Sequence, residues 1–226
     1  MKHYLSLSGG KDSTALMLMM LEKGMPLDAA FFFDGGWEWP QIYEHLDKLE
    51  RNTGVPIIHC KPDNDFNYWM FDHVMTKGKR KGERGYGWPR SSVRWCTELK
   101  TRTVGKVMRQ HAAGDEFTRY VGIAADEAKR ATDKKQVYPL IGWGVTEADA
   151  LGYCLAHGYD FGGLYESRNR ISCWCCPLQT IGELRDMCIN RPELWAELVR
   201  MDDASNNQLK HYTTLRDIEA ECRATA

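Results

Sequence analysis

The sequence predicts an α/β fold: a parallel twisted sheet with helices on both faces, followed by a C-terminal helical elaboration. Three observations lead there. Apolar strand-like runs alternate with helical runs over residues 1–60. The first strand passes into its helix through a glycine-rich turn, LSLSGGKDST, from Leu5 to Thr14. The second strand ends in an acidic turn with glycines, at Asp34, Gly35 and Gly36. Such alternation is the pattern of strands joined by crossover helices.

Each element follows from its pattern. KHYLSLS at 2–8 reads as a strand with Leu5 and Leu7 on one face. DSTALMLMMLEKG is a Leu- and Met-rich helix that Gly24 can stop. PLDAAFFFDGG is the second strand. PQIYEHLDKLERNTG is a helix with Pro40 in its first turn and Gly54 after its last. VPIIHC is the third strand. Residues 76–94 break the pattern, with seven Lys or Arg against one Glu and four Gly, as in a flexible basic loop. TELKTRTVGKVMRQHA resumes a helix, and FTRYVGIAADE gives a strand ending in acidic residues. Thr146 can cap EADALGYCLAHG, with Asp149 at the third position and Gly158 beyond the end. TIGE at 180–183 is a capping box, and PELWAELVRMDD starts at Pro192, with Leu194, Trp195, Leu198 and Met201 on one apolar face.

Composition narrows the class. The chain has 226 residues, 43% of them hydrophobic and 27% charged, enough for a sizeable core and against global disorder. The formal net charge is −1, so overall charge does not argue for a nucleic-acid partner. No apolar run approaches the roughly 18 residues of a membrane span, and the N-terminal apolar segment is too short for a secretory signal. A cytoplasmic location without a membrane partner is the expectation. In a reducing compartment, clustered cysteines point to metal or redox chemistry rather than disulfides. Cys173, Cys175 and Cys176 are so clustered, while Cys60, Cys96, Cys154, Cys188 and Cys222 are scattered.

The glycine-rich turn is the strongest chemical signal. A strand-to-helix junction presents unpaired N–H groups and the positive end of the helix dipole. Gly9 and Gly10 let backbone wrap an anion without Cβ clashes. Ser6, Ser8 and Ser13 offer hydroxyls, and Lys11 a charge. The adjacent glycines and the Asp12 that follows the lysine differ from the Walker pattern.

SLSGGKDST resembles the pyrophosphate loop of the N-type ATP pyrophosphatases, the adenine nucleotide alpha hydrolase superfamily. Within it, the chain is most similar to the phosphoadenosine phosphosulfate (PAPS) reductase-like family. FFFDGGWEWPQIYEHL resembles that family's second strand, where Asp-Thr-Gly is usual. RWCTELKTRTV resembles its Cys-x-x-x-Lys segment, and VGIAADEAKRA its Gly-Ile-Arg-x-x-Glu-x-x-Arg segment. YPLIGWGVTEADALGYCLAHGYDFGGLYE resembles its Pro-Leu-x-x-Trp region. The likeness covers about residues 1–180.

The resemblance implies a nucleotide-binding α/β domain over 1–140 and a Cys-containing helical region over 141–226 packed on the same domain. It implies that Ser6, Ser8, Gly9, Gly10, Lys11, Asp12 and Ser13 cradle phosphates. Phe33 and Asp34 would lie near the adenosine, and Gly122 and Ile123 would flank base or ribose. Lys100 and Arg130 would meet phosphate or leaving pyrophosphate, and with Lys11 and Asp12 they form the expected catalytic set. Two departures stand out. Gly35 replaces the usual Thr. Ala124 replaces the usual Arg, an anion contact that Arg130 or the basic loop is left to supply.

In iron–sulfur members, a Cys-Cys pair before the lysine and a later Cys-x-x-Cys hold a four-iron cluster. Here Cys96 matches the second cysteine of the pair, with Trp95 in the first position, and Cys173 and Cys176 match the Cys-x-x-Cys. Cys175 or Cys188 is the candidate fourth ligand. Cys96, Cys173, Cys175 and Cys176 therefore form the expected metal set, for zinc or a [4Fe-4S] cluster alike. A thiolate carrying a persulfide is the metal-free alternative. Cys222 follows Glu221 but lacks the glycine and histidine of the reductase tail.

Asp126 and Glu127 could hold Mg²⁺ through water, act as acid and base, or simply meet solvent at a strand end. The basic loop could clamp a polyanion, with Trp88 for stacking, or be a solvated face. The first expectation is an ATP-dependent enzyme that cleaves ATP to AMP and pyrophosphate and activates an acceptor for sulfur transfer. That acceptor is a nucleic acid or a small metabolite, and a sulfur donor protein would serve it. Alternatives are a PAPS or adenylyl-sulfate reductase and a nucleotide- or nucleic-acid-binding module without catalysis. The resemblance also allows a homodimer.

Overall fold

The computed structural model describes residues 1–90 and 93–225. Its strands are β1 (Lys2–Leu7), β2 (Ala29–Phe33), β3 (Ile57–Cys60), β4 (Phe117–Val121) and β5 (Gln136–Val137). They form one sheet in the order β3-β2-β1-β4-β5, and every pairing is parallel. β2 and β4 flank β1, so the strand order reverses at β1. That reversal opens a crevice beyond the carboxyl ends of β1 and β4, where open α/β sheets bind ligands.

The chain forms two compact units. The first comprises Met1–Asp34, Glu38–Lys61 and Lys100–Ile171, and it contains the whole sheet. The second comprises Gly35–Trp37, Pro62–Leu99 and Ser172–Ala226. The division therefore does not fall near residue 140. The first unit keeps residues 141–171, and the second draws on residues 62–99 as well as on the C-terminal region.

In the first unit, α1 (Lys11–Glu22) and α2 (Pro40–Thr53) follow β1 and β2. All five residues of β2 are buried, as a continuous apolar run in a central parallel strand requires. Tyr4 of β1 meets the Phe31 ring edge-on at 4.8 Å. α2 ends at Gly54 in the left-handed conformation (φ 70°), as the sequence predicts. After β4 comes a 3₁₀ turn, Ala125–Arg130, so Asp126 and Glu127 stand on a helical turn and not at a strand end. α4 (Pro139–Gly142), α5 (Glu147–Ala156) and α6 (Leu164–Ser167) complete the unit. Thr146 caps α5 in the predicted capping box with Asp149.

α3 (Trp95–Ala112) begins two residues before the expected Thr97, which puts Cys96 in its first turn. In the second unit, a π-helical turn spans Tyr68–Asp72. Helices α7 (Ile181–Asn190), α8 (Pro192–Ala204) and α9 (Leu215–Thr225) follow. The Thr180–Glu183 capping box opens α7 as predicted. In α8, Trp195, Leu198 and Met201 are buried and Leu194 is half-buried. Neither β5 nor α9 was expected from the sequence: two residues carry no period, and α9 has only Leu215, Ile218 and Cys222 on its buried side.

The basic segment differs from expectation. Ser91 and Ser92 lie outside the described residues. Before them, Val74 pairs antiparallel with Arg84, and Gly82 N–H donates to Met75 O at 2.8 Å, so the segment closes as a hairpin. Trp88 is not an exposed stacking surface: it is 2% exposed, and its indole N–H donates to Asp202 Oδ1 at 2.8 Å. The Asn207 side chain bonds the Trp88 N–H (2.7 Å) and its carbonyl (3.1 Å). An indole held this way satisfies its polar edge internally and cannot stack on a base.

α1 and α2 are tied by a buried bond of 3.0 Å between Thr14 Oγ1 and His45 Nε2. Burial, then the nearby Lys48 charge, lowers the His45 pKa from 6.5 to about 4. The unfolded chain therefore takes up this proton first as pH falls. Stability on the order of 3 kcal/mol should be lost between pH 6.5 and about 4 through His45 alone. Urea unfolding of His45→Gln over this range should show a shallower pH slope than the native chain. Parallel slopes would rule out this role for His45.

Candidate active site

Sequence places the glycine-rich turn where the fold's crevice opens. β1 ends at Leu7, and α1 begins at Lys11. Gly9 has φ +75°, and a Cβ there would stand 2.7 Å from Ile42 Cγ2. Gly10 is the N-cap of α1 in extended conformation, with no side chain capping the helix. The loop braces itself otherwise: Ser13 Oγ meets the Ser8 N–H (3.1 Å) and Ser8 Oγ (3.0 Å), and donates to Gly10 O (3.1 Å). The Lys11 N–H donates to the Tyr165 hydroxyl at 2.8 Å. Tyr165 thus occupies the position an anion would take at this helix start.

Gly122, just past β4, closes the other side. A Cβ there would lie 2.8 Å from Ser13 N and 2.9 Å from Asp12 C, so only glycine lets β4 pass this close to the turn. Ile123 and Ala124 behind it are buried.

The charges of the site centre on Lys11, which is 5% exposed. Its ammonium lies 2.7 Å from Glu147 Oε1 and 3.2 Å from Asp12 Oδ1. Oxygens of Asp12, Glu127 and Glu147 lie within 4.8 Å of one another, a group able to hold a metal ion. Burial pushes the Asp12 carboxyl up, Lys11 pulls it down, and Glu147 and Glu127 add to the rise. Arg130 pairs with Glu127. Asp126, expected beside Glu127, instead accepts the Glu147 N–H at 3.1 Å and fixes the start of α5.

On the sheet face that carries Ser6, Phe31 and Phe33, the Lys100 ammonium sits 5.5 Å over the Phe33 ring and 3.2 Å from Glu38 Oε1. Asp34 accepts from Tyr43 Oη at 2.7 Å and meets His59 Nδ1 at 3.4 Å. Burial opposes its ionisation, but these bonds and the Lys61 charge outweigh it and its pKa falls. Ser6 Oγ accepts from Arg119 Nε at 2.7 Å.

Cys96, Cys173, Cys175, Cys176 and Cys188 belong to the second unit. Cys176 N–H donates to Cys173 O at 3.0 Å, which closes a turn with these two residues at its ends. Cys175 is buried, and Cys96, Cys173, Cys176 and Cys188 are half-buried. The Gln179 side-chain amide bonds the carbonyls of Trp174 and Cys176, and Lys210 Nζ donates to Pro177 O at 2.6 Å.

The structure thus brings Ser8, Gly9, Gly10, Lys11, Asp12, Ser13, Gly122 and Arg130 together, the last through Glu127. Ser6, Phe33 and Lys100 share a sheet face. Sequence reasoning missed Glu147, Tyr165, Arg119 and Glu38. Glu147 was legible only as the residue after the Thr146 cap, and Tyr165 lies 154 positions from its partner.

The chain is similar to several known proteins. The family profile described as "Phosphoadenosine phosphosulfate reductase domain" matches residues 2–179. An uncharacterized protein of Methanocaldococcus jannaschii is 26% identical over 203 residues, 83% of this chain and 38% of that protein. The uncharacterized nin region protein ORF290 of Escherichia phage lambda is 27% identical over 150 residues, 59% of this chain and 52% of that protein. The chain therefore spans 38% and 52% of these relatives. A PAPS reductase of Candida auris, solved as a phosphate complex, gives a TM-score of 0.48 at 16% identity, over 77% of this chain and 82% of that one. The U34-tRNA thiolase NcsA of Methanococcus maripaludis, solved with its [4Fe-4S] cluster, gives 0.44 at 14% identity, over 99% and 72%.

The tight approach at Gly122 makes a direct prediction. Gly122→Ala should lower stability by about 1–3 kcal/mol, because backbone and not a side-chain tip must move. It should also open the Ser8–Ser13 turn to limited proteolysis. An alanine variant as stable and as resistant as the native chain would show that the approach is not tight.

Proposed function

The chain belongs to the phosphoadenosine phosphosulfate reductase domain family, a family of nucleotide-using, sulfur-related enzymes, and on that premise we propose that it cleaves ATP between the α- and β-phosphates to activate an acceptor for sulfur transfer. The observation that carries this reading is the carboxylate trio beside Lys11. Three carboxylates at the mouth of an anion site repel a bare oxyanion, but suit one that arrives with a divalent cation. Reduction of a sulfonucleotide draws on thiol electrons and has no leaving pyrophosphate for such a cation to neutralise.

Asp12, Glu127 and Glu147 would hold Mg²⁺, and their hard oxygens and mutual repulsion fit such an ion. Bound there, Mg²⁺ would neutralise charge on the phosphate oxygens. The turn at Ser8–Ser13 would grip the terminal phosphates through N–H groups and hydroxyls. Lys11, freed in part from Glu147, would stabilise the leaving pyrophosphate. Lys100 would steady the α-phosphate, with Phe33 and Asp34 beside the adenosine and Arg130 near the leaving group. An acceptor oxygen would attack the α-phosphorus, and its bond to the bridging oxygen of pyrophosphate would break. The adenylated acceptor would then lose AMP to a sulfur nucleophile. Cys96, Cys173, Cys175 and Cys176 would hold zinc or an iron–sulfur cluster for that second stage, with Cys188 the alternative fourth ligand. The acceptor is a nucleic acid or a small metabolite.

Purified protein given ATP and Mg²⁺, with a nucleic-acid or small-molecule acceptor, should release AMP and pyrophosphate in equal amounts. Lys11→Ala and Glu147→Gln should each slow this by about 100-fold or more. Formation of ADP and phosphate, or of sulfite from a sulfonucleotide with no use of ATP, would refute the reading. Elemental analysis of the protein purified without oxygen should find either zinc or iron with sulfide, and finding neither would remove the cysteine site.

A further inference from the structure

Ala124 stands where the family motif carries an arginine, and Arg130, one of the replacements the sequence offers, is already engaged. Arg130 is exposed and spent on Glu127. A second guanidinium, which the sequence did not single out, belongs to the same unit as the turn. Arg119 lies on β4, in register with Tyr4 of β1. Alternate residues of paired parallel strands share a face, so Arg119 points to the side that carries Ser6, Phe31, Phe33 and Cys60. The Lys100 ammonium covers Phe33 on that same side.

Arg119 is half-buried, and only one of its five donors has an acceptor among the described residues: Nε donates to Ser6 Oγ at 2.7 Å. No carboxylate among the described residues lies within ion-pair reach. The Asp133 charge acts on it beyond ion-pair distance, and the Asp133 oxygens take the Lys135 N–H (2.9 Å) and the Gln136 amide (2.8 Å). Burial lowers the Arg119 pKa, and the Asp133 charge offsets this only in part. A partly buried guanidinium with unused donors is unfavourable by itself. Its planar fork suits a tetrahedral oxyanion.

We propose that Arg119, oriented by Ser6, binds a phosphate or the isosteric sulfonyl group of the adenine nucleotide, in place of the arginine absent at Ala124. The inference rests on the nucleotide-site reading given above. It adds a recognition residue to the face of the sheet on which the adenosine would lie.

Calorimetric titration and thermal unfolding of native protein, Arg119→Met and Arg119→Lys test it. ATP with Mg²⁺, adenosine and inorganic sulfate are the ligands. Arg119→Met should bind ATP about 10- to 100-fold more weakly, and Arg119→Lys should lose less. Adenosine, which carries no oxyanion, should bind all three proteins alike. Without ligand, Arg119→Met should unfold at or above the native temperature, because an uncompensated charge has gone. Inorganic sulfate should raise the melting temperature of the native chain more than that of Arg119→Met. ATP bound equally by native and Arg119→Met protein would overturn the inference and leave the nucleotide reading intact. So would adenosine binding lost in parallel with ATP, or a ligand-free variant that melts lower. If the native chain binds neither ATP nor adenosine, the nucleotide reading fails. The sulfate comparison then still decides whether Arg119 is an oxyanion contact.

Discussion

A lysine ammonium buried at the first turn of α1 sets the terms for everything around it. A positive charge is disfavoured at a helix N-terminus, where the backbone dipole already presents positive potential. Lys11 is 5% exposed, so water cannot relieve it. Carboxylates must, and Asp12 and Glu147 do. Glu147 can reach only because α5 starts at that point, held by the Thr146 capping box and by Asp126. Glu127 joins from the 3₁₀ turn after β4 and brings Arg130 with it. One charge in a four-residue stretch thus fixes the relation of three elements that are distant in sequence.

The same crowding explains the glycines. Gly9 packs against Ile42 of α2 and Gly122 against Asp12 and Ser13 of α1, and each would place a Cβ within 3 Å of its neighbour. The turn is braced from within, with Ser8 and Ser13 bonded to each other and Tyr165 on the Lys11 N–H. An incoming phosphate would have to take the N–H from the tyrosine hydroxyl.

Much of this was legible in the sequence, and the reasons are local. β1, the turn and α1 are contiguous, and their chemistry lies in adjacent residues. The parallel sheet with crossover helices followed from β–α alternation, and helix starts followed from Thr146, Thr180, Pro40 and Pro192, whose capping and N1 roles need no tertiary partner. What could not be read depended on distance. Glu147 and Tyr165 reach Lys11 from more than 130 positions away. Arg119 looked like a strand residue with no role until the register set it beside Ser6. Trp88 looked exposed in a basic, glycine-rich run because Asp202 and Asn207, which bury and bond it, lie in another part of the chain. Two-residue β5 is set by pairing with β4, not by its own pattern.

On the proposed reading, the turn, Lys11 and the three carboxylates act as one site for a nucleotide with its divalent cation. Iron-directed cleavage tests this most directly, with Fe²⁺ replacing Mg²⁺ and ascorbate and peroxide generating radicals at the bound metal. Peptide mapping should place the cuts near Asp12, Glu127 and Glu147, and ATP should strengthen them. Cuts that avoid all three segments, or that are unaffected by ATP, would contradict the account.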